Sequence, residues 1–218
     1  MRTAITGLLS LAGAEEQLLL LEDGSTGGSP DNWAAVPLVA HLTHFKQQQT
    51  ERISALLSGH VPPAYGDVDH SAPEVYSAYN VAASQAVLAD SRRVTAGLID
   101  GTWALPSELV LHGQVNGRML WLQLIVRGFW HPMGHLGDYY CDQGQANRAV
   151  AMQSHALATA RHLATPAPAE GMAVYNLACA LARSGSVRDA ARMLETAIAL
   201  NPDLRTNASS DPDLALVQ

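Results

Sequence analysis

Phe129-Trp130-His131-Pro132-Met133-Gly134-His135-Leu136-Gly137-Asp138-Tyr139-Tyr140 places two histidines four residues apart, a carboxylate three beyond the second, and two tyrosines after it. On a helix, positions i and i+4 share a face and i+7 returns to it, so His131, His135 and Asp138 line one stripe. Two imidazoles presented this way can hold one metal ion. Pro132 suits a helix that begins near His131, because a proline in the first turn forfeits no intrahelical bond. In a helix already running it would break or kink the ladder. A third ligand has to come from elsewhere, and the best source is far upstream, in Trp33-Ala34-Ala35-Val36-Pro37-Leu38-Val39-Ala40-His41-Leu42-Thr43-His44-Phe45.

That upstream stretch opens a helix expected over residues 33–57, capped by Asp31 or Asn32 and ending before Ser58-Gly59. Its apolar stripe is Leu38, Leu42, Phe45, Ile53 and Leu56. At roughly 100° per residue, His41 points to the interior side of the stripe and His44 to its edge. An inward histidine is read either as a hydrogen-bonded core residue or as a ligand, and the downstream pair favours the second reading.

Outward from these two stretches the pattern is helical throughout. A first helix is expected over 3–21, and a third over 73–99 after a loop rich in Pro, Gly and Asp that holds Asp69 and His70. Residues 100–106 read as a connector, and 107–127 as a fourth helical segment in which Gly113 and Gly117 allow close helix packing. Residues 145–163 form one more helix. After the linker 165–170, Val174, Leu177, Ala178, Leu181, Gly185, Ala190, Leu194, Ala197 and Pro202 fall where a tetratricopeptide repeat of about 34 residues places them. A single repeat does not stand alone, so this hairpin should pack on the 145–163 helix. The expected organisation is residues 1–143 as a bundle and 144–218 as C-terminal helices.

Composition narrows the function. The chain has 218 residues, 48% hydrophobic and 15% charged, with a net charge of −7 and Lys46 as its lone lysine. That describes a globular chain without a basic cluster, which disfavours nucleic acid and anionic membranes as partners. Cys141 and Cys179 make neither a disulfide framework nor a C-x-x-C pair, in keeping with a reducing cytoplasm. The arginine and alanine bias suits a GC-rich bacterial genome. Residues 2–14 look like the start of a signal peptide until Glu15 and Glu16 interrupt the run. A soluble cytoplasmic protein is expected, with a homodimer admitted. No glycine-rich phosphate loop and no G-x-S-x-G elbow occurs.

Asn32-Trp33-x7-His41, followed about 90 residues later by His131-x3-His135, resembles the DinB-like superfamily of helical bundles. Trp130-His131-Pro132-x2-His135-Leu136-x2-Tyr139-Tyr140 is most similar to its colibactin self-resistance branch. The likeness covers roughly residues 1–143 and implies an all-α fold: a DinB-like four-helix bundle, here extended by the C-terminal hairpin. It also implies that His41, His131 and His135 ligate a divalent metal, Zn or Ni, at one end of the bundle. Activities in the superfamily include thiol-dependent transfer or isomerisation and hydrolytic opening of strained electrophilic rings.

The expected function is therefore a detoxifying or self-resistance hydrolase acting on a reactive electrophilic small molecule. Asp138 is a candidate base, ligand, or support for an imidazole, and Tyr139 a candidate hydrogen-bond donor to the leaving oxygen. Trp33, Trp130, His44 and Tyr140 are candidate substrate-binding residues. Two alternatives stay open. A thiol-dependent transferase would need a cationic pocket, for which Arg92, Arg93, Arg118 and Arg127 are available. A sequestering or adaptor protein would use the bundle for a ligand and the hairpin for a partner.

Overall fold

The computed structural model describes residues 1–29, 32–64, 73–80 and 82–217, and these form an all-α fold with two very short antiparallel strand pairs. Asp31, Asp69 and His70 lie outside the described residues. The chain divides into two compact units, Met1–Pro132 and Met133–Gln218.

In the first unit, α1 (Arg2–Glu22) leads through the pair β1 (Gly28–Ser29) and β2 (Asn32–Trp33) into α2 (Ala35–Leu57). Then come α3 (Pro73–Tyr79), α4 (Ser84–Ala104), α5 (Ser107–His112), the pair β3 (Gln114–Val115) and β4 (Arg118–Met119), α6 (Leu120–Ile125), and a π-helical turn over Val126–Trp130. Four segments make the core: α1, α2, α4, and α6 with its π-helical continuation. Each carries apolar residues at three- and four-residue spacing. Ile5, Leu8, Leu9 and Ala12 of α1 are buried, as are Leu38, Leu42 and Ile53 of α2 and Val87, Val94 and Leu98 of α4. Each such Leu, Ile or Val contributes about 1.5–3 kcal/mol by leaving water. By length and composition α1 could cross a membrane, yet it also carries this core face, and more than half of its most apolar window is buried.

A buried ion pair ties three of these helices. Lys46 Nζ on α2 lies 2.5 Å from Glu16 Oε2 on α1 and donates to Thr95 Oγ1 on α4 at 2.8 Å. Ser91 Oγ donates to the same carboxylate oxygen at 3.0 Å. Both charged side chains are fully buried, so removing either one leaves an uncompensated charge and costs about 3–5 kcal/mol.

Three expectations for this unit are corrected. The third helix is two, α3 and α4, and α4 runs through most of the expected connector. The 107–127 segment is interrupted by the β3–β4 hairpin, whose turn residues Asn116 and Gly117 have φ of 52° and 74°. These are the left-handed conformations an Asn-Gly hairpin turn requires, so Gly113 and Gly117 do not mediate helix packing. The third correction concerns the histidine helix, α7 (His131–Asp142). It does not start afresh but continues directly from the π-helical turn, in which the His131 N–H reaches back to Val126 O. That widened turn loosens the ladder just ahead of Pro132, where an α-helical turn would set the proline ring against a carbonyl.

The second unit holds most of α7 with α8 (Ala146–His162), α9 (Ala167–Arg183), α10 (Val187–Leu200), α11 (Leu204–Ser210) and a 3-10 turn, Pro212–Leu214. α9 and α10 form the expected hairpin, turning at Gly185 with φ 84°, and α9 packs on α8. Ala178, Ala190 and Ala197 are fully buried. A Cβ on Gly171 would come within 2.9 Å of Asn201 Cβ, so small residues set the close approach of the two helices. Gly137 serves the same end on α7. Its missing side chain admits Gln153, whose Nε2 donates to Met133 O at 2.6 Å.

Candidate metal centre and its surroundings

α2 presents His41 from its buried face, with 3% of its surface exposed. The π-helical turn delivers His131 opposite it, and the two Nε2 atoms lie 3.3 Å apart. His135 follows one turn along α7. The ligand nitrogens of His41, His131 and His135 all lie within 4.8 Å of one another. Two nitrogens held tetrahedrally at a zinc–nitrogen distance of about 2.0–2.1 Å are about 3.3–3.4 Å apart. The observed pair therefore sits at ligand spacing already, and three imidazoles in this arrangement could hold a metal ion. The residues fit a divalent metal.

Aromatic rings hold the pair in place. Phe45, one turn after His41, packs 4.9 Å from the His41 ring and 4.4 Å from that of His131. Trp33 lies 4.9 Å from His41 on another side, wedged 4.7 Å from Tyr76. Tyr79 of α3 lies 5.5 Å from His41 and 5.9 Å from His44. Burial raises the pKa of both Tyr76 and Tyr79, so both hydroxyls keep their protons. Trp33 and Tyr79 are only part-buried and His44 is exposed, which gives the histidines a partly open aromatic rim. His44 also lies 3.0 Å from Gln48 Nε2.

The remaining expected site residues are placed differently. Trp130 is buried, and its Nε1 has no hydrogen-bond partner among the described residues. Tyr139 and Tyr140 are buried against each other at 5.7 Å, with the Arg148 guanidinium 4.2 Å over Tyr140. Asp138, one turn past His135, sits 3.8 Å from Arg183. Arg183 also pairs with Asp142 at 2.5 Å and Asp213 at 3.7 Å. One guanidinium thus faces three carboxylates, with Asp211 close by. Enclosure by protein raises the Asp138 pKa to about 6, with Asp213, Asp142 and Asp211 adding to the rise and Arg183 opposing it. The side chain nevertheless keeps 55% of its surface in solvent. At that exposure solvent weakens the desolvation, and the crowding of Asp213, Asp142 and Asp211 carries much of the rise.

A second cluster belongs to the same neighbourhood. Ligand atoms of Cys179, Asp211 and Asp213 lie within 4.8 Å of one another. Tyr175 donates to Asp211 Oδ2 at 2.6 Å and the Cys179 thiol approaches the same oxygen at 3.6 Å. Burial and then the neighbouring carboxylates push the Cys179 thiol far up.

Of the four arginines considered for a cationic pocket, Arg92 donates to Gln17 and Arg93 pairs with Asp90 on the surface. Arg118 and Arg127 line a common cleft. Phe45 and Tyr79 pack on His41, and Arg127 lies over the Phe45 ring, three neighbours absent from the site residues expected from sequence. For Phe45 the signal is its place four residues after His41 on α2. For Tyr79 there was none.

Comparison of the chain with protein-family models, with characterised proteins and with solved structures gives no match.

Proposed function

We propose that the chain is a hydrolase of a reactive electrophilic small molecule, built on a bundle of the DinB-like kind, with His41, His131 and His135 holding one divalent ion. The observation that carries this reading is the 3.3 Å approach of the His41 and His131 Nε2 atoms with the third imidazole in reach. The resemblance of the Trp130–Tyr140 segment to the self-resistance branch is its second support. A bound Zn or Ni would supply Lewis acidity, making water a better nucleophile or polarising the leaving atom.

The chain's own residues have separate tasks in this proposal. Trp33, Tyr79 and His44 form a rim against which a planar or apolar substrate can stack. Tyr79, its hydroxyl protonated, is a donor for the leaving oxygen, a task that the buried Tyr139 and Tyr140 are less well placed to perform. Asp138 is the base. With a pKa near 6 it is ionised at neutral pH and still basic enough to take a proton. The charge of −7 and the absence of a basic cluster favour a small molecule over a nucleic acid.

The test combines elemental analysis with turnover. Purified protein should carry about one equivalent of Zn or Ni, and His131→Ala should lose it. A strained-ring electrophile should be opened by water with no thiol present. Turnover only when a thiol is added would assign the transferase reading instead. Metal-free protein that binds the electrophile unchanged would assign sequestration.

A further inference from the structure

The His41 and His131 imidazoles belong to segments that share no helical ladder. His41 sits within α2, and His131 stands where the π-helical turn gives way to α7. The 3.3 Å approach of their Nε2 atoms is therefore set by packing between the two segments, not by spacing within one helix. The χ2 torsion of a histidine is broad and roughly two-fold, so an imidazole without lateral packing swings through a wide arc. Its nitrogens move with it.

Phe45 supplies lateral packing to both rings. One turn beyond His41 on α2, it is buried, with 7% of its surface exposed. Its ring lies 4.9 Å from that of His41 at an interplanar angle of 68°. It lies 4.4 Å from that of His131 at 62°. Both are edge-to-face arrangements, which aromatic rings prefer to a face-to-face stack. The guanidinium carbon of Arg127 lies 4.6 Å from the centre of the same ring, a contact that steadies the Phe45 ring itself.

We propose that Phe45 is a positioning residue for the metal, holding the His41 and His131 imidazoles so that both Nε2 atoms face one ion. This rests on the metal-bound reading of the histidines. Phe45 has no donor atom for the ion and acts through the two ligands that it touches. Ligands ordered before the ion arrives cost nothing further to order when it binds, and that difference appears as affinity. A leucine fills part of the same volume but presents no flat, stiff edge to either imidazole. A tyrosine presents the same ring.

The test uses full-length protein and two readouts. In protein stripped of metal with 1,10-phenanthroline, carbon relaxation of the imidazole Cδ2 and Cε1 sites should show both rings ordered in the parent. They should be looser in Phe45→Leu and ordered again in Phe45→Tyr. In a zinc titration, Phe45→Leu should bind about 10–100-fold more weakly than the parent, and Phe45→Tyr close to it. Ile53→Val, a change at a buried α2 position about 18 Å along the helix from His41, controls for lost stability and should leave zinc affinity unchanged. Imidazoles equally ordered in Phe45→Leu, or zinc bound as tightly by it, overturn the proposal. So does an equal loss of zinc affinity in Ile53→Val. A parent that takes up no zinc overturns the metal reading instead, and the relaxation comparison still decides whether Phe45 orders the pair.

Discussion

Asp138 is pulled in two directions by one shift, and both are measurable. Its pKa is raised from an ordinary carboxylate value to about 6 in the folded chain, so the native state holds this proton more tightly than the unfolded state does. The stability it contributes is complete below about pH 4 and is lost as pH rises through about 6. Melting temperature followed from pH 4 to 7.5 should therefore fall less steeply in Asp138→Asn than in the parent, and the variant should be the more stable at pH 7. Activity should run the other way, with kcat/KM rising through about pH 6 as the base ionises. Asp138→Asn should lower turnover by about 10²-fold while leaving substrate binding intact. Unchanged turnover would remove Asp138 from the chemistry and leave it a partner of Arg183. The cysteines give a third residue-scale expectation. Burial, the first cause in each case, raises both Cys141 and Cys179 above the usual thiol range. Iodoacetamide at pH 7.5 should modify both slowly in folded protein and fast in guanidinium. The histidine triad was legible from sequence because helical spacing fixes His131 against His135 and the apolar stripe turns His41 inward. Tyr79 was not, since nothing local in α3 encodes its approach to a ring on α2.

The π-helical turn and Pro132 act as a unit. Periodicity arguments assume 3.6 residues per turn, and one wider turn shifts no residue type that would announce it, so the sequence reads Pro132 as a helix start. Gly128 lies inside this turn, and a Cβ there would fall within the van der Waals envelope of Leu9 Cδ2 on α1. Gly128→Ala should destabilise the chain by about 1–3 kcal/mol in chemical denaturation, with partial recovery when Leu9 is also cut to Ala. The β3–β4 hairpin was legible in principle, because Asn-Gly is the strongest short hairpin signal. It was missed because the four-residue spacing of Gly113 and Gly117 also satisfies a helix. The α9–α10 hairpin is legible because its small residues, Ala178, Ala190 and Ala197, are dictated by how close the two helices lie.

Each of the two units has its own buried face, and the division within α7 was not visible in sequence, where a boundary near residue 143 is the natural reading. An apolar stripe says that a helix is buried but not which neighbours bury it. Within the second unit, α8 offers Met152, Ala156, Leu157 and Ala160 as buried residues, with α9 packed on it. A chain ending at Thr165 should expose that face, bind more of a hydrophobic dye and melt at lower temperature than the full chain. The single lysine has a consequence of another kind. Lys46 is locked with Glu16 inside the first unit, so an endoprotease specific for lysine has one peptide bond to cut, and only in molecules whose core has opened. Digestion by such an enzyme is an all-or-none clock for opening of that core. Its rate, plotted against ligand or metal concentration, reads their effect on folding without any label.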